Sequence, residues 1–252
     1  MIKMPKFVRS VGSAAIVMVK SIAFFPAVVC RTDSRRDLFR QLYATGIRTL
    51  PVVTVVSIFM GMILALQVGL ELRRFNQEMY LGAAVMMTLI REMGPFACGI
   101  CLAACVGSAI AAELGTMKVN EELDALQIMG IPWLRFLAAP RILALVLMAP
   151  IIAFYAIITG TIGGGVVAHT QLQVDFSQYI SSALFMAVEK DLFVGILKAA
   201  SFGLLIGVIS VTEGYGTRIG ATGVGKSTQR SVIVSFLAIL IFGYMITRFF
   251  YG

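Results

Sequence analysis

Five apolar runs, each long enough to cross a lipid bilayer, constrain this chain more than any other feature of its sequence. They cover residues 50–70, 79–112, 142–168, 192–212 and 230–249. A helix needs about 20 predominantly apolar residues to cross a hydrocarbon core of about 30 Å. Backbone polar groups in lipid must find partners inside the protein, so helices are the expected structure of these runs. The sequence therefore predicts an all-α integral membrane protein with about five transmembrane helices.

The composition agrees with a membrane protein and argues against other classes. Apolar residues make up 59% of the chain and charged residues 13%, whereas about a quarter of residues are charged in soluble domains. The 252 residues leave no room for a large soluble domain beside five spans, so we expect one domain over residues 1–252. The net charge is +8. However, the basic residues are not interleaved with aromatic residues that stack on bases, so no nucleic-acid partner is predicted.

Three of the four cysteines, Cys98, Cys101 and Cys105, share one helical face. They lie in an apolar run without a histidine or carboxylate in register. We therefore interpret them as packing residues and predict no metal site. We expect no cofactor bound by this chain.

The distribution of Lys and Arg predicts the orientation in the membrane. Residues 1–48 carry nine of them, 113–141 carry three and 213–230 carry three, against four in the connectors and tail on the other side. Cytoplasmic loops are enriched in Lys and Arg. The N-terminus, the 113–141 stretch and the 213–230 stretch are therefore all predicted to be cytoplasmic, and residues 49–252 to form the transmembrane bundle.

The N-terminal segment 1–48 is predicted to be cytoplasmic or interfacial. A helix over residues 5–29 would be apolar except for one polar stripe, with basic residues flanking both ends. This pattern is typical of an amphipathic helix that lies in the membrane interface. A further spanning helix remains the alternative for this segment. The stripe consists of Lys6, Ser10, Ser13 and Lys20.

The longest polar interruption, residues 113–141, contains the pattern of a short helix from Glu121 to Met129. Asn120 is positioned to cap its first turn, while Gly130 and Pro132 end it. This helix is either an ordinary loop helix or a docking helix that inserts into another protein. Its two leucines share one face, and the remaining positions are mostly polar. In order, the candidate docking residues are Asn120, Glu121, Glu122, Leu123, Asp124, Leu126 and Gln127.

Three sequence blocks resemble the MlaE/YrbE family of ABC-transporter permeases. They are REMGP at 91–95, GSAIAAELGTMKVNEELDALQIMGIPWLRFLAAPRILA at 107–144, and GATGVGKSTQRSV at 220–232. The resemblance implies a permease subunit of the bacterial inner membrane that moves phospholipids or related lipids between the inner and outer membranes. It also implies a homodimer, a separate ATPase subunit that uses the ATP, and a periplasmic protein with an Mce domain. The helix near 120–130 would be the coupling helix that contacts the ATPase.

Arg91 and Glu92 are candidate site residues because charged residues inside a span usually pair or face a polar cavity. One interpretation is a structural ion pair within the bundle. The other is a lipid cavity in which Arg91 holds a phosphate, since guanidinium forms bidentate bonds to such oxygens. The family resemblance implies the second role, with Leu72 and Phe75 contacting acyl chains. We expect this cavity at the homodimer interface.

Residues 220–227, GATGVGKS, satisfy the phosphate-binding P-loop pattern. The context argues against that function, because a P-loop follows a buried strand and these residues join two predicted spans. We expect the glycines to form a turn, with Ser227 or Thr228 near the start of the last helix. The chain is therefore predicted not to be an enzyme. A membrane-embedded lipid-modifying enzyme and a secondary transporter are the alternatives.

The sequence departs from the family pattern at two places. Cys105 stands where many members carry Arg, and Ile131-Pro132-Trp133 replaces the usual V-D-P. Each change could alter the fit to a particular ATPase, but neither removes the predicted cavity or coupling helix.

Overall fold

The structure, a computed structural model, describes residues 12, 15–19, 21, 23–25, 32–218 and 220–252. The polar stripe predicted for the 5–29 helix lies outside the described residues. Those that are described form helices and connecting turns, without a strand among them. The helices are α1 (Thr32–Gly46), α2 (Leu50–Arg74), α3 (Glu78–Val119), α4 (Glu122–Ile128), α5 (Leu134–Thr170), α6 (Phe176–Phe185), α7 (Glu189–Tyr215) and α8 (Ala221–Tyr251).

The prediction of an all-α membrane protein is confirmed. Five stretches of the described chain are long and apolar enough to cross a membrane. Four of them are α3, α5, α7 and α8, and the fifth runs from Arg36 through the whole of α2. Each extends beyond the apolar run that predicts it, because polar residues at the ends continue the helical hydrogen bonding.

Helix α3 is continuous over 42 residues. It contains two π-helical segments, Leu89–Met93 and Ala103–Gly107. The first segment ends just before Pro95, which has no N–H to donate to the carbonyls of the preceding turn. The carbonyl oxygen of Arg91 accepts a hydrogen bond from Lys198 Nζ at 2.8 Å. The Lys198 side chain thus supplies a hydrogen bond to the backbone within the π-helical segment.

The chain divides into two compact units, each built from several segments. One unit comprises residues 1–48, 102–148 and 203–240. Its buried residues include Leu114, Ile142 and Ile206. A smaller cluster formed by Leu38, Ala139, Leu143 and Ala144 packs against Phe24, Phe25 and Leu42.

The other unit comprises residues 49–101, 149–202 and 241–252. Its core includes Leu81, Leu89 and Tyr179. Helices α2 and α5 approach closely at glycines, since a Cβ added to Gly61 would lie 1.8 Å from the carbonyl oxygen of Gly160. Small residues are the usual means by which membrane helices pack at such short range.

The connector between α5 and α7 contains α6, which Asp175 caps by accepting a hydrogen bond from the Gln178 amide at 3.4 Å. In this helix Tyr179 and Ala183, one turn apart, are both buried. The glycine-rich stretch at 220–227 differs from the expected turn. Gly220 does turn, with φ +93°, but α8 starts at Ala221, so the later glycines are helical rather than turn residues.

Candidate functional site

Arg91 and Glu92 both lie in the π-helical segment Leu89–Met93 of α3. A π-helical turn is rare and frequently occurs at functional sites, because it changes the direction in which neighbouring side chains point. Each of the two charged side chains binds an oppositely charged residue of α7. Arg91 and Glu92 therefore do not pair with each other. Arg91 pairs with Asp191 and Glu92 pairs with Lys198.

Arg91 is bound by Asp191 and Tyr251. Its Nε and Nη2 atoms each lie 2.8 Å from Asp191 Oδ2. The Tyr251 hydroxyl donates to Asp191 Oδ1 at 2.6 Å, and the guanidinium carbon lies 4.5 Å from the centre of the Tyr251 ring. The Asp191 side chain is only 3% exposed and Arg91 is 34% exposed. The buried Asp191 carboxylate thus holds the Arg91 guanidinium in a fixed orientation, and one side of that guanidinium stays accessible.

Glu92 is bound by Lys198 and Thr247. Lys198 Nζ donates to Glu92 Oε1 at 2.9 Å, and Thr247 Oγ1 lies 2.6 Å from the same oxygen. Lys198 also donates to Thr247 Oγ1 at 2.8 Å and to the Arg91 carbonyl oxygen. All three of its ammonium protons are therefore used in hydrogen bonds. Lys198 is 1% exposed, whereas the Glu92 side chain is 41% exposed.

The two ion pairs form one network with two positive and two negative charges. An isolated charge in a spanning helix is costly, and pairing reduces that cost. In both pairs the α7 residue is buried while the α3 residue reaches an accessible surface. We name Arg91, Glu92, Asp191 and Lys198 the charged network.

Sequence reasoning found only half of this network. It did not find Asp191, Lys198, Thr247 and Tyr251. The first three are 100 or more residues from their partners in α3, and Tyr251 is 60 residues from Asp191. A signal for Lys198 was present, since a lone lysine inside an apolar run requires an acidic partner. No pattern in the sequence identifies which carboxylate that partner is.

Leu72 and Phe75, the predicted acyl-chain residues, lie at the end of α2. Leu72 is half-buried and packs against the core cluster that contains Leu89 and Ile90, the residues just before Arg91. Phe75 follows the last turn and is 71% exposed. The structure thus partly buries Leu72 in the core of its unit and leaves the Phe75 ring accessible to an apolar partner.

Helix α4 occupies the predicted coupling region but begins differently. Asn120 ends α3 instead of capping α4, and Glu121 adopts a left-handed conformation with φ +60°. The Asn120 side-chain amide donates to Glu122 Oε1 at 3.2 Å. The prediction of an Asn120 cap was wrong because α3 continues to Val119, so that Asn120 is its C-cap and Glu121 takes the N-cap position of α4.

The face of α4 expected to meet a partner is also corrected. Leu123 is fully buried by the chain itself, and Leu126 is half-buried. The exposed apolar residues are Ile128, at 88%, and Met129, at 64%. Glu121, Glu122 and Gln127 are exposed, as a polar rim requires. A two-turn helix must use one apolar residue to attach itself to the bundle, and Leu123 serves that purpose here.

Polar and aromatic contacts also fix α4 to its neighbours. Lys118 Nζ lies 2.7 Å from Asp124 Oδ1 and 2.8 Å from Oδ2. The same ammonium group lies 5.3 Å from the centre of the Tyr215 ring. Tyr215 in turn stacks on Trp133, with ring centres 4.7 Å apart. Asp124 is therefore an internal attachment of α4, and Trp133, one of the departures from the family pattern, supports the end of α7.

The P-loop pattern at 220–227 does not adopt a phosphate-binding conformation. Residues from Ala221 onward are in α8, which follows helix α7 and a short turn. Ser227 is buried, and its hydroxyl contacts Thr217 Oγ1 at 2.9 Å and donates to the Val224 carbonyl at 2.9 Å. Backbone amides beyond the first turn of a helix donate within that helix and are not available to a phosphate.

Comparison with known proteins agrees with this architecture. The sequence profile of the family described as "Permease MlaE" matches residues 38–249. A "Probable ABC transporter permease protein" of Rickettsia felis is 35% identical over 98% of this chain and 94% of its own length. The "Intermembrane phospholipid transport system permease protein MlaE" of Haemophilus influenzae is 29% identical over 98% and 94%. The Arabidopsis thaliana "Protein TRIGALACTOSYLDIACYLGLYCEROL 1, chloroplastic" is 31% identical over 86% and 62%.

The profile match covers most of the chain, and the helices of the structure account for the five apolar runs. The chain is therefore a multi-pass membrane protein of the MlaE permease family.

Proposed function

We propose that this chain is the transmembrane subunit of an ABC transporter that moves phospholipids or related lipids between the inner and outer membranes of a bacterium. The observation that carries the proposal is the charged network in a chain of this family. It places a partly exposed guanidinium and a partly exposed carboxylate within apolar helices. That combination suits an amphipathic ligand, with charged groups for the headgroup and apolar surface for the acyl chains.

The subunit works, on this proposal, as a homodimer in the bacterial inner membrane with its N-terminus in the cytoplasm. Lys and Arg counts support the orientation. An exposed apolar face on α2, formed by Val55, Phe59 and Ile63, is available to lipid or to a second subunit. The partners are a separate ATPase, which binds at α4, and a periplasmic protein with an Mce domain. The chain itself is non-catalytic and needs no cofactor of its own, since the ATP is used by the partner.

Arg91 and Glu92 would line the lipid cavity, with Leu72 and Phe75 contacting acyl chains. Asp191 uses the Nε and one Nη2 donor of Arg91, and a guanidinium has five N–H donors. The remaining donors would meet a lipid phosphate, while Asp191 and Tyr251 hold the group in place. A purely structural role for the network is the competing interpretation, because every charge in it already has a partner.

A reconstituted complex tests the proposal. The chain, purified with its ATPase, is placed in vesicles with a fluorescent phospholipid, and ATP-dependent lipid transfer to an acceptor is measured. Arg91→Lys keeps the charge and the pairing with Asp191 but loses the planar fork, so transfer should fall by about tenfold. Arg74→Lys is the matched control on an exposed arginine, and it should transfer lipid normally.

The alternatives give different results in this experiment. Unchanged transfer by Arg91→Lys would mean that the network is structural. Lipid transfer that needs no ATPase, or a chemical change in the lipid, would instead favour a secondary transporter or a lipid-modifying enzyme.

A further inference from the structure

A second polar site lies in the unit that contains α4. An open pocket of about 430 Å³ is lined by Ala112, Glu113, Thr116, Met117 and Arg141. Its volume is within the range of small-ligand sites in proteins. The lining combines apolar side chains with one carboxylate and one guanidinium.

Arg141 is the residue that makes this pocket a candidate site. Its side chain is only 10% exposed, and its Nη2 atom binds Glu113 Oε2 at 2.9 Å. The Nη1 atom is buried and has no hydrogen-bond partner among the residues that the structure describes. A buried charged donor without an acceptor costs free energy, so an unsatisfied group of this kind calls for an explanation. Because Nη1 is shielded from solvent, a ligand oxygen in the pocket would supply the missing acceptor after a rotation of the guanidinium that brings Nη1 to the pocket surface.

The charges around the pocket indicate what kind of ligand it fits. Arg141 is the cationic residue that lines the pocket, and its buried guanidinium favours an anion. The Glu113 side chain is 59% exposed, and its second oxygen, Oε1, is the one that does not bind Arg141. A carboxylate beside an anion site favours a ligand that also carries a cation. The complementary group is a phosphate with an ammonium a short distance away.

The position of the pocket along its helices suggests that the ligand is a lipid. Arg141 is the eighth residue of the 37-residue helix α5, and Glu113 is the seventh from the end of α3. A hydrocarbon core needs about 20 residues, so helices of this length extend into the headgroup layers. Arg141 and Glu113 are each about 10 Å from a helix end, which places them at the level of the headgroup layer. Ala112 and Met117 would contact the glycerol and the first methylenes.

We propose that this pocket binds the headgroup of a phospholipid that carries both a phosphate and a primary ammonium group, with Arg141 on the phosphate and Glu113 on the ammonium. The inference rests on the proposed function for the nature of the ligand and adds a second headgroup site to it. In the proposed orientation the pocket faces the cytoplasmic leaflet, where it would hold a lipid beside the helix that contacts the ATPase.

Photolabelling in vesicles tests the site without requiring transport. The probe is phosphatidylethanolamine with a diazirine at the glycerol end of one acyl chain, and a phosphatidylcholine with the same diazirine is its matched lipid control. The full complex is illuminated, and labelled peptides covering residues 112–117 are quantified by mass spectrometry. Because the trimethylated headgroup has no N–H to donate to Glu113, we expect about tenfold more labelling by phosphatidylethanolamine.

Two variants separate the roles of the two charged residues. Glu113→Gln should lower phosphatidylethanolamine labelling to the phosphatidylcholine level. Arg141→Gln should lower labelling by both lipids about tenfold or more, since both lose the hydrogen bond to phosphate. Arg230→Gln, which removes an exposed positive charge from α8, should label like the wild type. If Arg141→Gln does not fold, the ratio of phosphatidylethanolamine to phosphatidylcholine labelling in Glu113→Gln still tests the proposal.

Three results would overturn the proposal. Equal labelling of the wild type by both lipids would remove the role of Glu113. Suppression of labelling by inorganic phosphate in solution would assign the pocket to a free anion. Loss of the ATPase from Glu113→Gln or Arg141→Gln, with labelling unchanged, would mean that the pocket holds a carboxylate of that partner. Normal labelling without ATP-driven transfer would instead contradict the proposed function and leave the site intact.

Discussion

Lys198 shows how a single residue determines the arrangement of the charged network. It is almost fully buried in a spanning helix, and its ammonium group contacts a carboxylate, a hydroxyl and a backbone carbonyl. The carbonyl belongs to Arg91, so the lysine connects both ion pairs. Buried charges remain in membrane helices when such contacts offset the cost of desolvation.

Replacing this lysine should destabilise the protein, and a second substitution should restore much of the loss. Breaking a buried ion pair by removing one partner costs about 3–5 kcal/mol, and the exposure of Glu92 puts Lys198→Met at the lower end. The double variant Lys198→Met/Glu92→Gln leaves no unpaired charge, so its Tm in detergent should lie closer to that of the wild type. A double variant that is less stable than Lys198→Met would show that Glu92 is held mainly by Thr247.

Helix α4 illustrates how one short element meets two sets of neighbours. Leu123 and Asp124 attach it to the chain, and Ile128 with Met129 forms its exposed apolar end. An exposed apolar residue ringed by polar groups is the usual anatomy of a contact point for a partner protein. The proposed coupling surface is therefore the C-terminal end of α4 with its polar rim, and Leu126 contributes only its exposed part.

Ile128→Asp should release the ATPase from the purified complex while the permease stays folded. Leu123→Asp should instead prevent folding, because it buries a charge with no partner. Leu126→Asp should have an intermediate effect on ATPase retention. Pull-down and gel filtration distinguish the three variants. Retention of the ATPase by Ile128→Asp would place the docking surface elsewhere, for instance in the 213–229 stretch.

The contact between α2 and α5 depends on the absence of a side chain at Gly61. Because an added Cβ would meet the Gly160 backbone at 1.8 Å, Gly61→Ala should force the helices apart and lower the Tm and the yield of folded protein. Gly225→Ala is the matched control in α8, where none of the residues that the structure describes lies within 4 Å of the added atom. The control should stabilise its helix by about 0.5–1 kcal/mol. An equal Tm for the two variants would contradict the close approach.

At the scale of the whole molecule, ATP hydrolysis is expected to belong to a different subunit. Lys226 completes a P-loop pattern in sequence, yet it lies on the helical segment that begins α8. Lys226→Ala should therefore leave the ATPase activity of the assembled complex near normal, and the isolated chain should not bind ATP in a filter or calorimetric assay. Stoichiometric ATP binding by the isolated chain would contradict this prediction.

The sequence by itself determined the class of fold. A run of about 20 apolar residues can satisfy its backbone groups in lipid only as a helix or as part of a barrel, so the runs identified the five apolar helices and their order. The charges at Arg91 and Glu92 also marked the part of α3 that carries the charged network, because such residues are rare within spans. The family resemblance then connected these elements to a permease.

Only the tertiary structure decided which residues meet. Asp191 and Lys198 are about a hundred positions from their partners, and no local pattern selects one carboxylate among several. Periodicity placed Leu123 and Leu126 on one face of a helix but did not show whether that face points toward the chain or toward a partner. The physical reason is common to both cases. Helix formation follows from interactions within a few residues, whereas burial and ion pairing depend on contacts between segments distant in the chain.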